Sequence, residues 1–313
     1  MLLLLMQNSC IRNDPQKETA SKTDQKRIPP GPDWLEAYAS HTKRSDPGPY
    51  AELYEALPFA LDSLCHVIKT LLIHPLEARE MGLETEDFSH EGKARTCEEM
   101  LKTLLLIEDK GLNFPRKAEN RLVAGCYHHA MLLTSVLRQR HIPVRMRAGF
   151  ARYYEKDYGI RFGHVICEVW DKDREEWILV DPDRERIGLG PGDMDFGADA
   201  WMNIREKRVK ESVYTSSVGR GLKGVLNLLT LDASLLLQQE KMYYNYARIA
   251  MNDISRLPEI DPERKAILDE LARLSLTADA HMEDLRSLYQ ETDFLQPSGL
   301  DYQAFIRMIL DHE

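Results

Sequence analysis

The chain has no long basic run, although it is rich in charge. Its 313 residues carry 51 Asp and Glu against 41 Lys and Arg, a formal net charge of -10. Nucleic-acid binding depends on clustered cations that displace counterions from the phosphate backbone. The sequence therefore predicts no nucleic-acid partner.

Cysteines are few and none is paired in sequence. There are five, an odd number, at Cys10, Cys65, Cys97, Cys126 and Cys167, and no two form a CxxC pair. This pattern excludes the usual signatures of a disulfide framework and of a zinc ribbon. A reducing compartment fits it best, so we expect the cytoplasm.

Long apolar runs are also absent. The first residues, MLLLLMQNSC, form an apolar stretch about half as long as a signal-peptide core, with no preceding positive charge. Export or lipid anchoring through this stretch remains an alternative to the cytoplasm. The most apolar later segment, GLKGVLNLLTLDASLLL, is interrupted by Lys223, Asn227 and Asp232, so we expect no membrane span.

Composition and hydrophobic periodicity divide the chain into four parts. Residues 1–32 are polar in their second half and are predicted to be a flexible tail. Residues 33–115 and 207–313 show helical spacing of apolar residues and are predicted to be helical regions. Residues 116–206, which contain the candidate site, are predicted to form a catalytic core between them.

Local sequence signals predict one stretch of core-facing residues and two helix boundaries. Apolar residues from Leu57 through Phe59 and Ala60 to Leu72 recur at three- and four-residue intervals and predict core-facing positions. The segment EEMLKTLLLIEDKGL is predicted to end its helix at Gly111. Asp261, followed by a proline, is predicted to be an N-cap.

The segment after Gly125 predicts a helix that begins at a cysteine. In CYHHAMLLTSVLRQR the apolar residues share one face, so the helix is expected to be amphipathic and three to four turns long. Arg138 and further cations lie in its last turn, where they complement the helix dipole, and Pro143 ends the helix. Cys126 thus lies in the first turn, where backbone N–H groups and the helix dipole favour the thiolate and can bind an oxyanion.

Two strands of a hairpin are predicted to bring a histidine and an aspartate together. The alternating segment from Val144 through FARYY predicts a first strand, a polar turn around Gly159 follows, and GHVICEVW and WILVD predict the hairpin. With Asp171 to Glu176 as the loop, paired residue numbers sum to 347. Asp181 is then diagonal to His164 on the same face, within reach of a hydrogen bond.

Together these patterns predict a Cys126–His164–Asp181 acyl-transfer site in an α+β fold. Asp183 remains a reserve candidate for orienting the histidine. Zinc binding by Cys126 with His128 and His129 is a further alternative, although adjacent histidines point to different sides of a helix. Cys167 is expected in the core.

At these residues the sequence resembles the transglutaminase-like superfamily. The matching motifs are AGCYHHAMLL, VLRQRHIPVR, GHVICEVW and WILVDPD. The resemblance implies a papain-like core, in which a helix bearing the cysteine packs on an antiparallel sheet, flanked here by N- and C-terminal helices. It also implies that Cys126 is the nucleophile, His164 the general base and acid, and Asp181 the orienting residue. One departure is His141, where glycine is usual before the Ile-Pro pair.

The favoured function is cysteine-dependent acyl transfer on an amide or peptide bond, with hydrolysis preferred over cross-linking. The expected substrate is a protein, a peptide or a small amide, and no cofactor or metal is predicted. A non-catalytic binding protein on the same fold is the alternative, and a metal-dependent enzyme is a third hypothesis. The sequence leaves the oligomeric state open.

Overall fold

The computed structural model describes residues 31–83, 89–190, 192–217, 219–245, 247–251, 257–299 and 302–304. Cys10, most of the predicted tail and the last residues of the predicted C-terminal helical region lie outside these residues. Within them, helices surround a largely antiparallel sheet, which is compatible with the predicted α+β class.

Most helices lie towards the two ends of the chain, and most strands lie in its middle. The helices are α1 Pro32–Tyr38, α2 Leu61–Leu71, α3 Pro75–Glu80, α4 Ser89–Lys93, α5 Cys97–Ile107, α6 Cys126–Gln139, α7 Glu155–Tyr158, α8 Gly197–Arg205, α9 Leu222–Leu236, α10 Arg248–Met251, α11 Pro262–Leu276 and α12 Ala278–Glu291. The strands are β1 Leu72–Ile73, β2 Leu122–Val123, β3 Val144–Ala151, β4 Arg161–Asp171, β5 Glu176–Asp181, β6 Arg186–Ile187, β7 Met194–Phe196, β8 Tyr214–Ser216 and β9 Gly219–Arg220.

The main sheet is built around β3 and β4. Its order is β6-β5-β4-β3-β7, and the short β8 joins β4 in parallel and pairs with β9. Apolar side chains on one face, such as Val165 and Cys167, belong to the principal core with α6. On the other face, Ile166 lies in a second, smaller apolar cluster with Leu179 and Phe196. The sheet is therefore covered on both faces near its centre.

Helix α6 is central, and the prediction that it is amphipathic is wrong. Every residue from Tyr127 to Arg138 is buried, polar ones included. Strands β3 and β4 cover one side, and α2 and α5 pack elsewhere around it. Its length and its start at Cys126 are as predicted.

The arginine in the last turn of α6 is buried. Arg138 was predicted only to complement the helix dipole, but its guanidinium pairs with Glu240 and donates to Ser45 Oγ and to the carbonyl of Tyr38. Tyr127, in the first turn, donates to the carbonyl of the same Glu240. The residues after α9 are thus attached to both ends of the central helix.

Strand β3 also departs from simple alternation, because both of its arginines are buried. Arg147 makes a two-pronged contact with Asp232 of α9, at 2.9 Å for each N–O pair, and a third bond to Glu168. Arg145 bonds Glu168 at 2.6 Å and Asp279 of α12 at 2.5 Å. Buried charges of this kind are tolerated only when they are paired and hydrogen-bonded. The C-terminal helices supply that pairing and so pack directly against the sheet.

Several N-terminal boundaries differ from expectation. Phe59 and Ala60 were predicted to face the core, but they precede α2, and Phe59 is 84% exposed with Arg140 stacked over its ring at 4.6 Å. Helix α5 ends at Ile107, four residues before Gly111. In the middle of the chain, β3 ends at Ala151, although the strand was predicted to continue to Tyr154. Residues Arg152–Tyr154 instead form a 3-10 turn, and the single-turn α7 follows.

The predicted N-cap at Asp261 is confirmed, but the predicted C-terminal helical region also contains the short strands β8 and β9. Asp261 accepts a hydrogen bond from the N–H of Arg264 at 2.8 Å and caps α11, with Pro262 in the first turn. The predicted helical region continues after it as α11 and α12. No helix in the described ranges combines the length and the apolar character that crossing a bilayer needs.

Candidate active site

Cys126 is the first residue of α6 and is reachable from solvent. The N-cap is Gly125, in an extended conformation and with no side chain to cap the helix, and its carbonyl accepts from the N–H of His128. Cys126 is half-buried, whereas Cys65, Cys97 and Cys167 are buried. Burial raises the pKa of the Cys65 and Cys97 thiols to about 12, so these are poor nucleophiles.

His164 lies between the cysteine and an aspartate. It is on β4 and 6% exposed, and its Nε2 is 2.9 Å from Asp181 Oδ2. Burial would lower the pKa of His164, but the charge of Asp181, the charge of Cys126 and hydrogen bonds to both side chains together raise it well above the usual value. An imidazolium beside the sulfur of Cys126 is therefore favoured at neutral pH.

Asp181 is the last residue of β5 and is fully buried. Its Oδ1 accepts from the backbone N–H groups of Asp183 and Arg184, each at 3.1 Å. Its Oδ2 accepts from His164 and from the phenol of Tyr153, the latter at 2.5 Å. Burial alone would raise the pKa of Asp181, but the positive charge and hydrogen bond of His164 and the Tyr153 donor keep it below its usual value. The carboxylate stays ionised and is held at both oxygens.

The predicted hairpin register is confirmed. Cys167 pairs with Val180, Val169 with Ile178 and Trp170 with Trp177, and each pair sums to 347. The loop is shorter than predicted, because Asp171 and Glu176 themselves pair as the strand ends. The diagonal relation of His164 and Asp181 across this register brings their side chains into contact.

The reserve candidate Asp183 does not contact His164. Its Oδ1 is 3.0 Å from Lys69 Nζ and 3.6 Å from Nε2 of the buried His129. Burial lowers the pKa of His129 to about 4, despite the opposing charge of Asp183, so this imidazole is neutral at neutral pH. Asp183 thus pairs with Lys69 and lies beside His129, apart from the contact of His164 with Asp181.

The zinc alternative finds no support in the geometry. The Nδ1 of His129 is 3.0 Å from the carbonyl of Gly125, and its Nε2 is directed at Asp183. No group of three or more His, Cys, Asp or Glu side chains in the described part of the chain is arranged to hold a metal ion.

Tyr153 was missed as a site residue. The sequence assigned it to a continuation of β3, where its side chain would have been one of an alternating series. Because the chain turns after Ala151, the phenol reaches Asp181, and its ring lies edge-on to His164 at 6.3 Å. The rings of Tyr154, Tyr158 and Phe162 continue from it as an aromatic cluster. The run of aromatics just before His164 was the only available signal.

Residues 90–182 match the sequence profile of the transglutaminase-like superfamily. The matched range begins in α4 and includes Cys126, His164 and Asp181. No curated protein and no solved structure matches the chain.

Proposed function

Since residues 90–182 form a transglutaminase-like superfamily domain, a type generally associated with cysteine-based acyl transfer or proteolysis, we propose that Cys126, His164 and Asp181 catalyse acyl transfer from an amide or peptide bond. One observation carries the proposal. His164 contacts the cysteine at the start of α6 and, through Nε2, the buried carboxylate of Asp181. The arrangement supplies a nucleophile, an acid–base group and an orienting group.

The first half of the reaction forms a thioester. The Cys126 thiolate attacks the amide carbonyl carbon, and the carbonyl π electrons move onto oxygen. When that oxyanion collapses, the C–N bond breaks and the leaving nitrogen takes a proton from the His164 imidazolium. Ammonia or an amine departs, and the acyl group remains on sulfur.

Backbone N–H groups at the start of α6 are suited to bind the oxyanion. The first turn of a helix carries N–H groups that have no intrahelical acceptor, and the positive end of the helix dipole lies there. Donors of this kind stabilise charge that develops only in the transition state. The same turn thus serves both the sulfur of Cys126 and the substrate oxygen.

The second half returns the enzyme to its starting state. Neutral His164 removes a proton from water, the hydroxide oxygen attacks the thioester carbonyl, and the Cys126 thiolate leaves as the acid product is released. Asp181 stays ionised throughout and keeps Nε2 protonated, so the other ring nitrogen performs the transfers. We prefer water over an amine as the acceptor because nothing in the sequence marks a second-substrate site.

The arrangement of α6 against an antiparallel sheet supports a papain-like core within residues 116–206, with the helical regions 33–115 and 207–313 shaping the cleft. The substrate is a protein, a peptide or a small amide, and the proposed compartment is the cytoplasm. The contacts of Arg145 and Arg147 with α9 and α12 support an integral role for the C-terminal helices.

A product analysis tests the function. The protein is incubated with a panel of peptides and peptide amides, with and without methylamine, and products are identified by mass spectrometry. Acid products that require Cys126 and persist in methylamine support hydrolysis, whereas methylamide products would show amine transfer. If no product depends on Cys126, as judged against Cys126→Ser, the proposal fails in favour of a binding protein.

A further inference from the structure

One oxygen of Asp181 serves two donors. Oδ2 accepts from His164 Nε2 at 2.9 Å and from Tyr153 Oη at 2.5 Å. The other oxygen is occupied by two backbone N–H groups. Because the carboxylate is hydrogen-bonded at both oxygens, it cannot rotate to a new position. A change in the Tyr153 hydrogen bond therefore alters the hydrogen bond of His164 to the same oxygen.

The Tyr153 phenol stays protonated and donates a hydrogen bond to Asp181. Burial, followed by the negative charge of Asp181, raises the pKa of Tyr153 well above its usual value, so the phenol keeps its proton. Its ring contacts that of Tyr154 at 4.7 Å, and the Arg186 guanidinium lies over it at 4.3 Å. These contacts fix the ring independently of its hydroxyl.

We propose that Tyr153 is a positioning residue that acts through Asp181: by sharing Oδ2 with His164, it limits how tightly the carboxylate holds the imidazolium. This inference rests on the proposed function, in which His164 must release a proton to the leaving nitrogen. A carboxylate oxygen that already accepts a short hydrogen bond is a weaker acceptor for a second donor. Tyr153 thus keeps His164 acidic enough to serve as the general acid.

The other groups around the pair do not occupy Oδ2. Cys126 of α6 and Tyr154 face His164. The groups that face Asp181 are Asp183, the Arg184 side chain and Cys65 of α2. Asp183 and Arg184 bond to Asp181 through their backbone N–H groups at Oδ1. Removing the Tyr153 hydroxyl therefore changes one bond at the oxygen that His164 uses.

The test is a titration of His164 by NMR in a Cys126→Ala background, where the sulfur does not contribute. Tyr153→Phe is compared with Tyr158→Phe, which deletes the same hydroxyl from a ring of the same cluster. Tyr158 contacts Tyr154 and Phe162 by its ring. Imidazole carbon and nitrogen shifts report both the midpoint and which ring nitrogen carries the proton.

We expect Tyr153→Phe to move the His164 midpoint to higher pH, with Nε2 still protonated, and Tyr158→Phe to leave it unchanged. A structural role alone would lower the free energy of unfolding without raising the midpoint. An unchanged or lower midpoint in Tyr153→Phe overturns the inference. If the midpoint rises but no product depends on Cys126, the proposed function fails and the coupling stands.

Discussion

At the scale of single residues, the ionisation of the site is decided by partners more than by burial. His164 and Asp181 are both buried, which on its own would favour their neutral forms. Each nevertheless keeps its charge, because the two side chains are 2.9 Å apart and further donors hydrogen-bond to the carboxylate of Asp181. His129, equally buried, is neutral because burial outweighs the charge of Asp183, whose Oδ1 is 3.6 Å from Nε2.

Asp181→Asn is expected to slow alkylation of Cys126 at pH 6 by iodoacetamide by a factor on the order of 10². The amide removes the negative charge that raises the pKa of His164, so less of the imidazolium that stabilises the thiolate remains. The rate is measured by peptide mapping, which separates Cys126 from the other cysteines.

Asp183→Asn is the matched control for this change. Asp183 is as buried as Asp181, two residues away, and its side chain pairs with Lys69 instead of His164. Its alkylation rate is expected to stay close to that of the unmodified protein. Equal slowing in both variants would contradict the assignment of Asp181 as the orienting residue.

At this scale the sequence could predict the contact between His164 and Asp181, but not the contact that Tyr153 makes with Asp181. The pairing of His164 with Asp181 follows from counting across a hairpin, because side-chain direction and register are regular in strands. Tyr153 lies where the chain leaves the sheet, and the direction of an irregular segment depends on contacts distant in sequence. No local pattern could have directed its phenol at Asp181.

At the scale of elements, α6 ends in a Schellman motif with an unusual residue at its turning point. The N–H of His141 donates to the carbonyl of Arg138, and that of Ile142 to Leu137. His141 is exposed and has φ +56, the left-handed conformation that usually requires glycine. The glycine that the family resemblance leads one to expect before the Ile-Pro pair therefore has a backbone reason.

His141→Gly is expected to raise the free energy of unfolding by about 0.5–1 kcal/mol, because relief of left-handed strain exceeds the added flexibility of the unfolded chain. Urea unfolding measures the change. Gly159→Ala is the converse variant: φ is +68 and an added Cβ would meet nothing within 4 Å, so only the backbone effect remains. A loss of stability in His141→Gly would contradict the strain argument.

The start, length and end of α6 were predictable because they depend on local signals, among them Gly125 and Pro143. Its burial was not, because an amphipathic pattern shows only which face is most apolar. His129, Thr134 and Arg138 are buried on the remaining faces by partners far along the chain, such as Asp183 and Glu240. The same limit applies to the two arginines of β3.

At the scale of the whole molecule, two histidines with opposite pKa shifts set the pH range of stability. His129 has a lowered pKa, so the unfolded chain binds more protons and stability is lost as pH falls from about 6.5 towards 4. His164 has a raised pKa, so its contribution is present below about 6.5 and is lost as pH rises through the folded value.

The free energy of unfolding is therefore expected to be greatest near pH 6.5, with a slope of at most roughly 1.4 kcal/mol per pH unit for each histidine. Urea unfolding from pH 4 to 9 measures the profile. His129→Gln should flatten the acid side and His164→Gln the alkaline side. An acid side that His129→Gln leaves unchanged would contradict the assignment.

The family resemblance implied that α6 packs on the sheet, whereas the mixture of helices and antiparallel strands was predictable at this scale from periodicity alone. How the two helical regions meet the core was not. Buried pairs such as Arg138 with Glu240 join residues more than a hundred positions apart. Their charges have no signature in sequence that distinguishes them from exposed residues.

The central claim, that Cys126 accepts an acyl group, is tested most directly by acylation with p-nitrophenyl acetate. We expect a burst of p-nitrophenol stoichiometric with protein, an acetyl group mapped to Cys126, and neither in Cys126→Ser. No burst, or acetyl groups distributed over lysines with Cys126 unmodified, would contradict the claim.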